Sequence, residues 1–156
     1  MTYVIDTCSL IVLGNFYPNR FPSVWALLGE LVADERLISV REVLREFQKR
    51  NGSPHMFAWV RANNGIFLSP SQAEMAFVSQ IFSVPHFQNA IPSKARFTGS
   101  PVADPFVIAS AWVRGGCVVT QEELRPNAAK IPNICAHFGI ECTNLEGLMA
   151  AEGWQF

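Results

Sequence analysis

Four acids stand where they could do chemistry together: Asp6, Glu46, Asp104 and Glu122. Asp6 directly follows the apolar run Tyr3-Val4-Ile5, and Glu122 follows Cys117-Val118-Val119-Thr120 after one residue. If both runs are parallel strands, both acids lie at the carboxyl end of the sheet, where open α/β sheets place their ligands. An aspartate at the end of a buried strand is half withdrawn from water and needs a partner. The bland alternative is that acids favour loops, and Glu123 beside Glu122 keeps that alternative open there. Carboxylate oxygens without thiolate ligands suit Mg²⁺ or Mn²⁺. Such ions activate water and offset charge during in-line attack on phosphate. Ser9 and Thr120 offer hydroxyls as further ligands or as holders of a bound water, although Ser9 also reads as a capping or turn residue.

The elements that must carry these acids follow from periodicity. After the strand at Tyr3, Cys8 to Leu13 reads as a short helix ended by Gly14-Asn15. Ser23 to Ala33 has helical spacing of Val24, Trp25, Leu27, Leu28, Leu31 and Val32. Leu37-Ile38 reads as a short strand, and Ser39 with Glu42 as a capping box opening a helix to about Arg50. On that helix Val40, Val43, Leu44 and Phe47 define the buried face. At roughly 100° per residue, Glu46 falls at the edge of that face and Glu42 nearly opposite it. Glu46 can therefore lean into a cleft, whereas Glu42 is expected at the cap or in solvent.

Ser53-Pro54 opens a helix to about Ala62, Ile66 to Leu68 reads as a strand, and Ser71 to Phe82 as a helix. Ser83 to Val102, with Pro85, Pro92 and Pro101, is expected to be a long loop with room for one helical piece. Asp104-Pro105 has the form of an N-cap and first-turn proline, starting a helix to about Arg114. Gly115-Gly116 leads into the strand from Cys117 to Thr120. A helix from Ile131 to Phe138, a strand from Ile140 to Cys142 and a helix from Leu145 to Ala151 complete the chain. Alternating strands and helices predict an α/β fold with a mainly parallel central sheet. With 156 residues, 49% of them apolar, one domain spanning 1–156 is expected.

With 12 basic and 13 acidic residues the formal charge is -1, so the overall field does not attract nucleic acid. Any such partner must meet a local basic face. Arg41, Arg45 and Lys49 recur at helical spacing beside Glu46, with Arg50 and Arg61 near them, Lys94 and Arg96 in the long loop, and Arg114, Arg125 and Lys130 further on. Such residues either form a solvated face or contact phosphates without reading sequence. Trp25, Trp59, Trp112 and Trp154 fit core or interface better than base stacking. Cys8, Cys117, Cys135 and Cys142 form no C-x-x-C pair and read as reduced thiols, which fits a cytoplasmic protein. No charged-then-apolar leader and no run long enough to cross a bilayer is visible.

The segments Val4-Ile5-Asp6-Thr7-Cys8-Ser9, Ser39 to Phe47, Ala103 to Ala109 and Val118 to Glu122 together resemble the PIN-domain nucleases, over almost the whole chain. The Ala103-Asp104-Pro105 helix start, the Val118-Val119-Thr120 strand and the stretch Lys130 to Cys135 look like a little-characterised VapC-like branch. The resemblance implies a three-layer α/β/α sandwich and four acids coordinating Mg²⁺ or Mn²⁺ for endoribonucleolytic cleavage. It also implies an RNA substrate, a toxin role beside an antitoxin, and a homodimer; the candidate RNA contacts are Lys130, in the branch-like stretch, and Arg45 and Lys49, by their helical spacing beside Glu46. Two features depart from it: Glu122 stands where the wider family usually has aspartate, and the Ser83–Val102 segment is long.

Two other readings stand beside this one. A catalytically weak module of the same fold, held by a protein partner, would share the motifs. A phosphatase with Asp6 as nucleophile would commonly want a second aspartate at position 8, which is cysteine. A dinucleotide enzyme is disfavoured because no glycine-rich turn follows the first strand.

Overall fold

A computed structural model describes residues 1–90 and 102–156. Five parallel strands form the sheet: β1 (Tyr3–Ile5), β2 (Leu37–Val40), β3 (Phe67–Leu68), β4 (Cys117–Val119) and β5 (Glu141–Thr143). Their order is β3-β2-β1-β4-β5. Tyr3 pairs with Leu37 on one side and with Cys117 on the other, and Val119 pairs with Thr143 at the far edge. Val4, Ile5, Leu37, Val118 and Val119 are fully buried. Such continuous apolar runs are what a parallel sheet covered on both faces requires.

The helices are α1 (Thr7–Leu13), α2 (Pro22–Ala33), α3 (Arg41–Gln48), α4 (Pro54–Ala62), α5 (Gln72–Phe82), α6 (Asp104–Arg114), α7 (Ile131–Phe138) and α8 (Leu145–Ala151). Helix α1 packs on α3 and α4, while α6 packs on α5, α7 and the central strands. From β1 the chain moves outward first towards β2 and β3, then crosses back to β4 and β5. Right-handed crossovers in opposite directions put their helices on opposite faces. The result is the three-layer α/β/α sandwich expected from the sequence. Because strand order reverses between β1 and β4, that junction is the topological switch point. Asp6 and Thr120 stand at its carboxyl end.

Several local expectations are corrected. Ser39 is not a helix cap: it lies in β2, fully buried, and its hydroxyl donates to the Ile5 carbonyl at 2.7 Å. Val40 ends that strand and is the N-cap of α3, with no side-chain cap bond. Extension of β2 by two residues removed the capping box, and Glu42 is buried beside Arg41 at 3.1 Å instead of facing solvent. The N-cap of α6 is Ala103, so Asp104 is its first helical residue. Ser9 is neither cap nor turn, because it lies inside α1 and donates to the Val119 carbonyl at 3.2 Å. Pro85–Ala90 forms a 3-10 turn within the expected long loop, and its remainder from 91 to 101, with Lys94 and Arg96, lies outside the described residues. Ser71 and Glu74 form a capping box at the start of α5, with both reciprocal bonds.

Gly115 ends α6 in the left-handed region at φ 59°, which glycine adopts without a Cβ clash. At Gly116 a Cβ would lie 2.6 Å from the Thr2 carbonyl oxygen. The glycine pair thus turns the chain sharply and lets β4 start against β1.

Candidate functional site

Asp6 leaves β1 and caps α1. One oxygen, Oδ1, accepts from the Thr7 backbone N–H at 2.6 Å. The other, Oδ2, accepts from the Cys8 thiol at 2.9 Å and the Thr120 hydroxyl at 3.1 Å. The carboxylate is buried, with 5% of the residue exposed. Burial pushes its pKa up, the three donors pull it down, and the charge of Glu122 adds to the rise. Cys8 is held in turn by the Gln121 N–H at 3.2 Å, and burial beside Asp6 pushes its thiol up to about 11. The sequence does not single out Cys8 as a partner of Asp6. Its place two residues after a capping aspartate, within the first turn of α1, was the available signal.

Glu46 leans inward from α3, as helix geometry required. Its Oε2 accepts from the Ala103 N–H at 2.8 Å, and Arg50 approaches Oε1 at 3.9 Å. Burial raises its pKa, against the Ala103 bond, and the charge of Asp6 raises it further. The bond to Ala103 ties α3 to the start of α6, directly before Asp104. Thr7 was missed by the sequence reading. Its hydroxyl lies near enough to Glu46 to favour the charged carboxylate, yet it is buried without a hydrogen bond among the described residues.

Asp104 is the least compensated acid. Among the described residues its carboxyl makes no hydrogen bond or ion pair. Burial first, then the charges of Asp6, Glu122 and Glu46, push its pKa up to about 8, with Lys130 opposing. Those interactions bring all four acids into one electrostatic neighbourhood. Glu122 differs from the other three. Its Oε2 accepts from the Ile131 N–H at 2.8 Å, and Lys130 Nζ stands 3.5 Å from its Oε1. Its own N–H donates to Thr120 Oγ1 at 3.2 Å, so Thr120 links the Glu122 loop to Asp6.

The remaining candidates are placed less centrally. Ser9 is spent on bonding α1 to β4. Arg45 on α3 and Lys49, its C-cap, are exposed and make no ion pair among the described residues. Lys130 is exposed but beside Glu122. Trp25 and Trp59 pack edge to face, Trp112 stacks on Phe77, and Trp154 meets Phe156 edge-on. All four cysteines are free.

The carboxyls of Asp6, Glu46, Asp104 and Glu122 are oxygen donors of the kind a hard divalent cation takes, although Glu46 and Glu122 already face Arg50 and Lys130. No three Asp, Glu, His or Cys side chains among the described residues converge tightly enough to enclose one. Among the described residues the Thr7 hydroxyl, beside Glu46, and the Asp104 carboxyl make no hydrogen bond of ordinary geometry.

The family described as "Domain of unknown function (DUF4411)" matches residues 3–156. The chain belongs to the DUF4411 family. No curated protein matches it. Among solved structures, this DUF4411 chain is similar to the crystal structure of FitAcB from Neisseria gonorrhoeae, with 14% sequence identity and a TM-score of 0.52. The likeness covers 92% of this chain and 97% of that one. At that identity it speaks for the fold alone, a PIN-like α/β/α sandwich. No helix among the described residues is long and apolar enough to cross a membrane.

Proposed function

We propose that the chain is a metal-dependent endoribonuclease of the VapC-like kind, acting as the toxin of a toxin–antitoxin pair. The observation that carries this reading is Asp104: a carboxyl driven to a pKa of about 8 by burial and by Asp6, Glu122 and Glu46, at the switch point of a parallel sheet. Structural ion-pair networks also perturb carboxyls, but here no protein cation pairs with Asp104 among the described residues. A bound Mg²⁺ or Mn²⁺ would offset that repulsion and would supply an activated water and positive charge for phosphodiester hydrolysis. Asp6, Asp104 and Glu46 would hold it.

The protein's own part is orientation. The Thr7 N–H, Cys8 thiol and Thr120 hydroxyl fix the Asp6 carboxylate. The Ala103 N–H fixes Glu46. Arg45 on the exposed side of α3, Lys49 at its end, Arg50 by Glu46 and Lys130 by Glu122 would hold RNA phosphates and set its path, not read its bases. The fold shared with FitAcB supports the PIN-like frame on which this reading stands. An antitoxin partner, a homodimer and a cytoplasmic location belong to the same proposal, as does one domain over 1–156.

The test is cleavage of end-labelled RNA by purified protein with Mg²⁺ or Mn²⁺, beside Asp6→Asn and Asp104→Asn. Metal-dependent cutting lost in both variants is expected, and full activity in both would sink the reading. A second reading is favoured by one observation: Glu122 has both oxygens committed to Ile131 and Lys130. A module with a weakened site would bind no Mn²⁺ above background and would bring down a tight protein partner.

A further inference from the structure

Two thiols that the proposed chemistry does not use lie together between α7 and β5. Cys135 is in α7 and fully buried, and Cys142 is the central residue of β5 and half-buried. Gly139 ends α7 with φ at 67°, and the Ile140 N–H folds back to donate to the Cys135 carbonyl at 2.9 Å. That tight return lays β5 against the helix that precedes it, and α7 packs on the strand. The two thiols are hydrogen-bonded to each other.

Of the pair, Cys142 is the one that small solutes reach. With Thr120, Pro132, Ala136 and Ile140 it lines an open cavity of about 400 Å³ between α7 and the sheet. Cys135 lies behind it, without exposure. The hydrogen bond from Cys135 pulls Cys142 below the ordinary thiol value, while the same bond and burial push Cys135 up. The thiolate is the nucleophilic form, so the reactive sulfur is the one that faces the cavity. The other two cysteines are placed differently. Cys8 is half-buried, but its thiol donates to Asp6 Oδ2 at 2.9 Å, and burial beside that acid holds it at about 11. Cys117 is buried, and desolvation pushes it up to about 11 as well. Redox-sensing cysteines combine access and thiolate character with a second thiol poised to resolve them.

We propose that Cys142 and Cys135 form a reversible thiol-oxidation site: a hydroperoxide oxidises Cys142, and Cys135 closes a disulfide that ties α7 to the edge strand β5. In the first step the Cys142 sulfur attacks one oxygen of hydrogen peroxide. The O–O bond breaks, the sulfur becomes a sulfenic acid, and the other oxygen leaves as water. In the second step the Cys135 sulfur attacks Cys142 Sγ. The S–O bond breaks, and its oxygen leaves as a second water with the Cys135 proton. The two thiols lose two electrons and the peroxide gains them. A small dithiol reverses the bond by exchange. Neither thiol belongs to the acid cluster, so the site stands apart from the nuclease reading.

The experiment treats the reduced full chain with a small excess of hydrogen peroxide. Remaining thiols are then blocked with iodoacetamide in denaturant, and the chain is digested at glutamate without reduction. Cleavage after Glu141 separates the two cysteines. Mass spectrometry should find the Cys135 and Cys142 fragments still joined, with Cys8 and Cys117 alkylated, and dithiothreitol should release the join. In Cys135→Ala the disulfide cannot close, and dimedone should label Cys142 as the sulfenic acid. Cys142→Ala should leave Cys135 reduced and slow thiol loss by roughly tenfold or more, since the accessible thiolate is gone. The wild-type digest decides the matter whether or not the variants fold. Alkylation of both Cys135 and Cys142 after peroxide, earlier oxidation of Cys8 or Cys117, or a bond from Cys142 to a second chain would each overturn the inference.

Discussion

At the amino end of the sheet, Glu152 receives the Arg36 guanidinium through two contacts and the Tyr3 hydroxyl at 2.7 Å. At the carboxyl end, Asp104 receives no such partner among the described residues. Hydrogen bonding by Arg36 holds Glu152 below the usual carboxylate range, whereas burial among like charges lifts Asp104 to about 8. The same sheet carries both acids, so the contrast does not come from the fold. It comes from what each end is for. Carboxylates at the amino end tie the chain's termini together: Tyr3 lies in β1 and Glu152 ends α8. At the carboxyl end Asp6, Glu46 and Glu122 are held by neighbouring donors, whereas Asp104 is kept close to them without such a partner among the described residues.

The sharpest way to break the contrast is Asp104→Asn. Metal-dependent RNA cleavage should fall by roughly 100-fold or more, given what charge-stabilising groups contribute in dry sites. Stability should move the other way. The folded-state value of Asp104, about 8, lies above its ordinary 3.8, so the native state binds the extra proton between those limits. Its contribution is full below the ordinary value and is lost as pH rises through about 8. Metal-free wild-type protein should therefore lose stability on going from about pH 5 to pH 8. Asp104→Asn should flatten that slope and melt a few degrees higher at pH 8, as roughly 1–2 kcal/mol shifts a domain of this size. Thermal melts across that range check it, and added Mn²⁺ should stabilise only the wild type.

Gly116→Ala attacks the amino end. Its Cβ would meet the Thr2 carbonyl at 2.6 Å, so β4 must shift from β1 at a cost of about 1–3 kcal/mol. Denaturant unfolding should show that loss, with Mn²⁺ affinity unchanged in the folded fraction. Glu152→Gln should cost less, about 1 kcal/mol at most, because Arg36 is partly solvated. Glu152 has a depressed value, so its contribution is present above the ordinary carboxylate value and is lost as pH falls through the depressed one. The variant should differ from wild type near neutrality, converge with it in acid, and cut RNA normally. Cys8→Ser is the smallest change. A hydroxyl can still donate to Asp6 Oδ2, and cleavage should stay within about threefold, since a replaced hydrogen bond changes free energy only modestly.

Much of the architecture was legible because strands buried on both faces must be continuously apolar, and Val4-Ile5 and Val118-Val119 are. Glu46 could be told from Glu42 because helix geometry fixes angles, although the argument misjudged where Glu42 goes. Ser39 looked like a cap because serine, two residues and glutamate spell one. The strand instead ran on to Val40, since a buried Ser39 could bond the end of β1. Nothing local in the sequence announces that tertiary bond. The hydrogen-bond partners of Asp6 and Glu122 were likewise illegible: Thr120 and the Ile131 N–H reach them across loops, once β4 and α7 are docked. Ser9 shows the same limit, as its hydroxyl serves a carbonyl of β4 and not the neighbouring acids.

The central claim is that the carboxyl end of the sheet is a cation site waiting for its ion. Calorimetric titration of metal-free protein with Mn²⁺ at pH 7, in two buffers of different protonation enthalpy, tests it most directly. Saturable binding with release of close to one proton per ion is expected, because Asp104 is mostly protonated below about 8 and must ionise to meet the metal. Proton release should vanish in Asp104→Asn. A wild-type titration with no saturable heat, or one indistinguishable from Asp104→Asn, would contradict the account.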